Sequence, residues 1–224
     1  MRVFVLAVCG VGLAGQARAA DVGHPVVVEL FQSQGCSSCP PANANVLAVA
    51  GRPDVLALSW QVTYWDYLGW KDTFAADVFT RRQSAYARAL GHDGVFTPQV
   101  VVNGRVDGVG AGRGELAGLM AQGERGDGGP SLTIAGDEVR VGAGQGSGQV
   151  LLVQYDPDLV QVAVKRGENA GETLPHRNVV RHVAVLGAWN GAAARFVVAR
   201  QAGLRDAVLV QAGGTGPILA AAHD

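Results

Sequence analysis

Cys36 and Cys39, two residues apart, are the side chains of this sequence best suited to covalent chemistry. A thiolate attacks disulfides and binds soft metals, so a close cysteine pair points to thiol–disulfide exchange or to a metal. The pair lies in Phe31-Gln-Ser-Gln-Gly-Cys-Ser-Ser-Cys-Pro-Pro41. Before it, Val26 to Phe31 is an apolar, β-branched run of the kind buried in a parallel sheet. After it, residues 41–51 read as a helix, with Pro41 at the start and Gly51 at the end. Cys36 therefore falls at a helix N-terminus, where unpaired amide N–H groups and the helix dipole lower a thiol pKa below the free value of about 8.5. Cys36 is expected to be the exposed attacking sulfur. Cys39, one turn further in, is expected to be shielded and to resolve the mixed disulfide.

Competing uses of the pair are a structural staple, a zinc site and a copper(I) site. A staple closing four residues contributes about 2 kcal/mol, against about 3 for a fifteen-residue loop, so this spacing is a poor place for one. Structural zinc takes four Cys or His ligands, and no histidine is close in sequence to the two cysteines. Copper(I) suits two thiolates, but no nearby His or Met assists them.

The chain opens with Arg2, an apolar run from Val3 to Gly15, and Ala17-Arg18-Ala19. This pattern is that of a signal peptide over residues 1–19, shorter in its apolar part than a membrane span. Cys9 would leave with it. The mature chain would then hold Cys36 and Cys39 alone, in a secreted or periplasmic setting where disulfides persist.

A formal net charge of −1, with Lys and Arg scattered, supports no nucleic-acid surface. No apolar run after residue 20 is long enough to span a membrane. Thirty-two glycines, about twice the usual share, favour short turns over long helices.

Residues 54–62 read as a second buried strand, completing a βαβ spacing. Asp72 or Thr73 is expected to cap a helix running to Leu90. Gln99 to Val102 and Arg105 to Val109 flank Asn103-Gly104, a strong hairpin signal, and residues 114–122 read as a last short helix.

The order β-α-β-α-β-β-α, with Cys-x-x-Cys at the first helix start and Thr97-Pro98 before the third strand, resembles the thioredoxin fold. The resemblance implies a cis bond at Pro98, facing the cysteines, with Thr97 and Pro98 positioning a substrate peptide. A narrower resemblance rests on Glu29-Leu-Phe-Gln-Ser-Gln-Gly-Cys-Ser-Ser-Cys-Pro-Pro, Tyr64-Trp-Asp-Tyr-Leu-Gly-Trp-Lys-Asp, Tyr86-Ala-Arg-Ala-Leu, Phe96-Thr-Pro-Gln-Val-Val-Val-Asn-Gly and Arg166-Gly-Glu-Asn-Ala-Gly. These strings are similar to a family of secreted bacterial thioredoxin-like proteins of unestablished function. Ser37-Ser38 stands where thioredoxin has Gly-Pro, and this uncharged dipeptide argues against an extreme oxidant.

Three of the four tryptophans fall between Trp60 and Trp70, with Tyr64, Tyr67 and Asp66 among them. They form either an aromatic wall beside Cys36 or a satellite core under the loop. Trp65 and Asp66 are auxiliary candidates, Asp66 as a proton acceptor for Cys39 or as a turn cap.

Residues 121–130 have the composition of a linker. Beyond them, short alternating runs separated by turn residues suggest an antiparallel sandwich. The expected architecture is therefore an α/β thioredoxin-like domain over residues 24–124 and a small all-β domain over residues 130–224. In the second, Arg166 to Asn178 reads as a polar loop, with His176 and then His182 facing solvent. The function expected is thiol–disulfide exchange with protein thiols or disulfides, without a cofactor, in a direction the sequence leaves open and with a membrane or periplasmic redox partner as a candidate. A copper(I)-handling protein using the same cysteines and a non-enzymatic binding module with an inert disulfide are the alternatives.

Overall fold

The computed structural model describes residue 21 and residues 23–224, so the signal-peptide reading and Cys9 lie outside the described residues. Thirteen strands and three α-helices form a large mixed sheet and two small antiparallel ones among the described residues. The sheet containing the motif strand is built around β1 (Val26–Gln32), which pairs in parallel with β2 (Val55–Gln61) and antiparallel with β3 (Gln99–Val102). β3 turns through Asn103-Gly104, at φ 49° and 62°, into β4 (Val106–Gly108). Both faces of β1 are covered. Val26, Val28 and Leu30 pack against α1 (Cys39–Val49) and α3 (Arg113–Gln122), while Val27 and Phe31 face α2 (Asp77–Ala89). Burial on two sides is why this run is apolar without alternation.

α2 begins at Asp77, later than the sequence suggested. Asp72, the expected cap, is buried, and its carboxylate accepts the N–H groups of Gln34 and Phe74 instead. A short 3₁₀ turn over Asp66–Leu68 occupies the preceding loop.

The expectation of a separate domain after residue 130 is corrected. β5 (Leu132–Ala135), β6 (Glu138–Val141) and β11 (Ala194–Val197) form a three-stranded sheet that packs on β7 (Gly148–Asp156), β10 (Val179–Trp189), β12 (Arg205–Gln211) and β13 (Ile218–His223). The sandwich-like packing is present, but its larger sheet is the first sheet continued, in the order β13-β12-β7-β10-β2-β1-β3-β4. The junction is β10 on β2: Val179 sits opposite Ser59, the Ser59 N–H donates to the Asn178 carbonyl at 2.9 Å, and the Asn178 amide donates to the Ala57 carbonyl at 2.9 Å. The physical reason is the edge of β2. All seven of its residues are buried, and an unpaired edge of that composition is a template for aggregation unless another strand covers it. One core accordingly crosses the linker, with Phe31, Leu58 and Trp60 packed among Val153, Val180, Leu209 and Ile218. A buried polar cluster crosses it too: Arg82 pairs with Glu29 at 2.7 Å and reaches Gln211, whose amide donates to Tyr86 Oη at 2.8 Å.

A strand is also found where a polar loop was expected. β9 (Thr173–His176) pairs with β8 (Val160–Ala163), and the hairpin's connection returns over the start of α1. A four-residue strand containing proline leaves little period-two signal.

Candidate functional site

α1 opens at Cys39, with Ser38 at the cap position and Pro40 and Pro41 in its first turn. Proline suits that turn because the missing N–H would be unpaired there anyway. Cys36 and Cys39 form a disulfide, their Cα atoms 5.5 Å apart. The Thr97–Pro98 peptide bond is cis, and the Thr97 hydroxyl donates to Cys36 Sγ at 3.3 Å. The Trp65 indole N–H donates to that same hydroxyl oxygen at 2.8 Å, which leaves its proton aimed at sulfur. Cys36, Thr97 and Trp65 thus meet in one site, with the cis Pro98 next to Thr97 in the chain.

Asp66 serves the loop instead, since its carboxylate accepts the Asp72 backbone N–H at 3.1 Å and closes the turn. The aromatic residues divide between core and surface. Trp60 is fully buried, stacked on Phe31 at 6.0 Å; Trp70 donates to the Gln34 side chain at 2.9 Å; Tyr67 is 79 % exposed.

The expectation of an exposed Cys36 is corrected, since Cys36 is 0 % and Cys39 1 % exposed. Part of the cover comes from residues 165–172, a strap joining β8 to β9. Asn169, itself buried, donates to the carbonyls of Gln34 and Cys36, both at 2.9 Å. Glu168 accepts the Ser37 N–H at 2.9 Å and the Ser37 hydroxyl at 2.8 Å. Those bonds, the backbone one first, hold the Glu168 carboxyl below its ordinary pKa. Gly167, at φ 81°, runs beside Gly35, where a Cβ would lie 3.7 Å from the Gly35 Cα. A carboxylate near the positive end of a helix is favourable, but Glu168 holds the Ser37 N–H, a donor that a Cys36 thiolate would otherwise have beside it.

Two buried ionisable groups border the motif. Burial pushes the Asp72 carboxyl up to about 6, with the neighbouring Asp66 charge adding to the effect. His176 is 1 % exposed, not solvent-facing as expected, and burial pushes its imidazole down to about 4. It lines a cavity of about 270 Å³ together with Gln32, Ser33, Cys39 and Asn43. Among the described residues no group of three or more His, Cys, Asp or Glu side chains is arranged to hold a metal. Sequence reasoning missed Glu168, Asn169 and the burial of His176. The signal for Glu168 and Asn169 was the Arg166-Gly-Glu-Asn-Ala-Gly string, which carried a resemblance without a role.

The fold and site define a mixed α/β protein with a buried Cys-x-x-Cys disulfide at a helix start. The chain belongs to a family described as a protein of unknown function, DUF1223, whose pattern matches residues 27–211. A crystal structure of an Agrobacterium tumefaciens protein is 35% identical, with a TM-score of 0.75 over 92% of this chain and 95% of that one. HBP35 of Porphyromonas gingivalis is similar in fold alone, at 12% identity and a TM-score of 0.62 over 92% of this chain and 76% of that one. No curated protein matches the chain.

Proposed function

We propose that this chain is a secreted thiol–disulfide oxidoreductase that exchanges disulfides with protein thiols through Cys36 and Cys39, on a thioredoxin-like scaffold. The observation that carries this reading is the Thr97 hydroxyl, oriented by Trp65 and donating to Cys36 Sγ at the start of α1. A hydrogen bond to sulfur and a nearby helix N-terminus both favour a thiolate over a thiol. When the pair accepts electrons, a partner thiolate attacks Cys36 Sγ, the Cys36–Cys39 bond breaks, and Cys39 leaves as a thiolate that takes up a proton. A second thiolate of the partner then attacks the partner's sulfur in the mixed disulfide, so the partner leaves oxidised and the pair is left as a dithiol. The reverse sequence reduces a partner.

Attack on a buried sulfur requires the strap to lift. Lifting breaks the Ser37–Glu168 and Asn169 bonds and frees the Ser37 N–H and hydroxyl, just before α1, as donors for the Cys36 thiolate. The strap is therefore a cover and an electrostatic competitor at once.

Burial of both cysteines favours a second reading, an inert disulfide within a binding module that presents Tyr67. One experiment separates the two. The native protein is incubated with millimolar dithiothreitol, and Cys39→Ser is mixed with a purified disulfide-containing protein. The oxidoreductase reading expects reduction within minutes without unfolding, and a covalent adduct on Cys36 released by reductant. A disulfide that resists until the protein unfolds, with no adduct formed, would overturn it in favour of the module.

A further inference from the structure

His176 is buried beside the disulfide, and neither of its ring nitrogens has a hydrogen-bond partner among the described residues. A buried polar group left unpaired costs roughly 1–3 kcal/mol, so its presence asks for a reason. Its position suggests one. The ring meets Phe74 edge-on at 5.8 Å and lines the cavity that Cys39 also lines, which is large enough for several waters and has Gln32, Ser33 and Asn43 on its wall. The ring is held in place by its strand, because the carbonyl of Pro175, the residue before it, accepts the Asn43 amide of α1 at 2.6 Å. Among the described residues, Asp72, hydrogen-bonded to Ser33 of the cavity wall, and Arg181, over the Phe74 ring at 4.5 Å, are charged or ionisable groups on the residues that flank the ring.

The geometry points to His176 as the proton acceptor for Cys39, acting through water in this cavity. The inference rests on the oxidoreductase reading and adds a residue to it. In the mixed disulfide between Cys36 and a partner, the Cys39 S–H proton passes through water to an imidazole nitrogen. The Cys39 thiolate attacks Cys36 Sγ, the Cys36–Cys39 bond forms, and the bond from Cys36 to the partner breaks. The partner sulfur leaves with the electron pair and takes up a proton from solvent, and the imidazolium returns its proton to the cavity water. The protein dithiol is oxidised and the partner disulfide is reduced; a dithiol reductant restores the pair. Neutral imidazole suits this role because it is an acceptor when the thiol arrives, and a buried thiolate stabilises the imidazolium beside it.

The test uses the reduced full-length protein and 5,5′-dithiobis(2-nitrobenzoate), which releases one coloured thiolate when Cys36 attacks it and a second when Cys39 resolves the adduct. The adduct is accumulated at low pH and jumped to pH 7. His176→Phe, which keeps the ring packed on Phe74, and His176→Gln, which keeps a polar group, are each expected to slow the second release about 100-fold or more and leave the first unchanged. The second release in the variants should rise with pH as thiolate forms directly. In the wild type, the imidazole NMR signals should titrate differently in the dithiol and disulfide forms. An unchanged second release in both variants, or identical imidazole titration in the two redox forms, overturns the role of His176 and leaves the oxidoreductase reading standing. No adduct on Cys36 at any pH removes that reading itself.

Discussion

The halves before and after residues 123–131 differ in how they are built and in what they bring to the disulfide. The first alternates strands with helices, and short local connections carry the cysteines, Thr97 and Trp65 into one place. The second is a run of antiparallel strands with no α-helix among the described residues. It supplies Glu168 and Asn169, 131 and 135 positions along the chain from Ser37 and Gln34, and it supplies His176. The reactive pair is local, whereas access to it and the proton acceptor inferred for it come from afar. That division of labour can be challenged by experiment at several points.

Ending the chain after Pro130 should have the greatest effect. The first half would lose the strand on β2 and part of its core, and the fragment should show no cooperative thermal transition by circular dichroism. A sharp transition would make the halves independent after all. Next is Arg82→Met, which strands the Glu29 charge in a fully buried position and should cost about 3–5 kcal/mol in urea unfolding. A loss under about 1 kcal/mol would mean that the polar cluster joining the halves is energetically idle.

The third prediction concerns pH. His176 is held near 4 in the folded chain against an ordinary 6.5, so the folded state binds fewer protons between those values. Its contribution is present above the ordinary value and is lost as pH falls towards 4, by at most about 3 kcal/mol. Asp72, raised to about 6, works in the opposite direction over much of the same window. Wild type and His176→Phe should therefore be compared directly, and only the wild type should carry the histidine's acid-side loss. Parallel pH profiles of unfolding would refute a buried neutral imidazole.

Asn169→Ala should cost about 1–2 kcal/mol, and each 1.4 kcal/mol by which it eases strap opening speeds dithiothreitol reduction about tenfold. Equal reduction rates would show that the strap does not limit access. The mildest change belongs to Glu168, whose depressed pKa means that its contact with Ser37 is present above the ordinary carboxyl value and lost as pH falls through its folded one. Reduction by a phosphine, which stays active in acid, should quicken below about pH 4.5 in the wild type but not in Glu168→Gln. Matching profiles would remove the carboxylate from the latch.

Residues close together along the chain were enough to specify much of the first half. The cysteine spacing, the apolar strand before it and the proline-led helix after it set the disulfide at a helix start, and Asn103-Gly104 set the hairpin behind Pro98, because turns, caps and strand periodicity act over a few residues. Most strands of the second half were also legible from their alternation. That those strands extend the first sheet was settled only on folding, since the requirement to cover the edge of β2 belongs to the assembled sheet and not to any segment. The burial of Cys36 and the unpaired His176 beside Cys39 arise in the same way. Glu168 and Ser37 meet across 131 positions, and no local pattern encodes a contact made when a distant hairpin folds back onto a helix end.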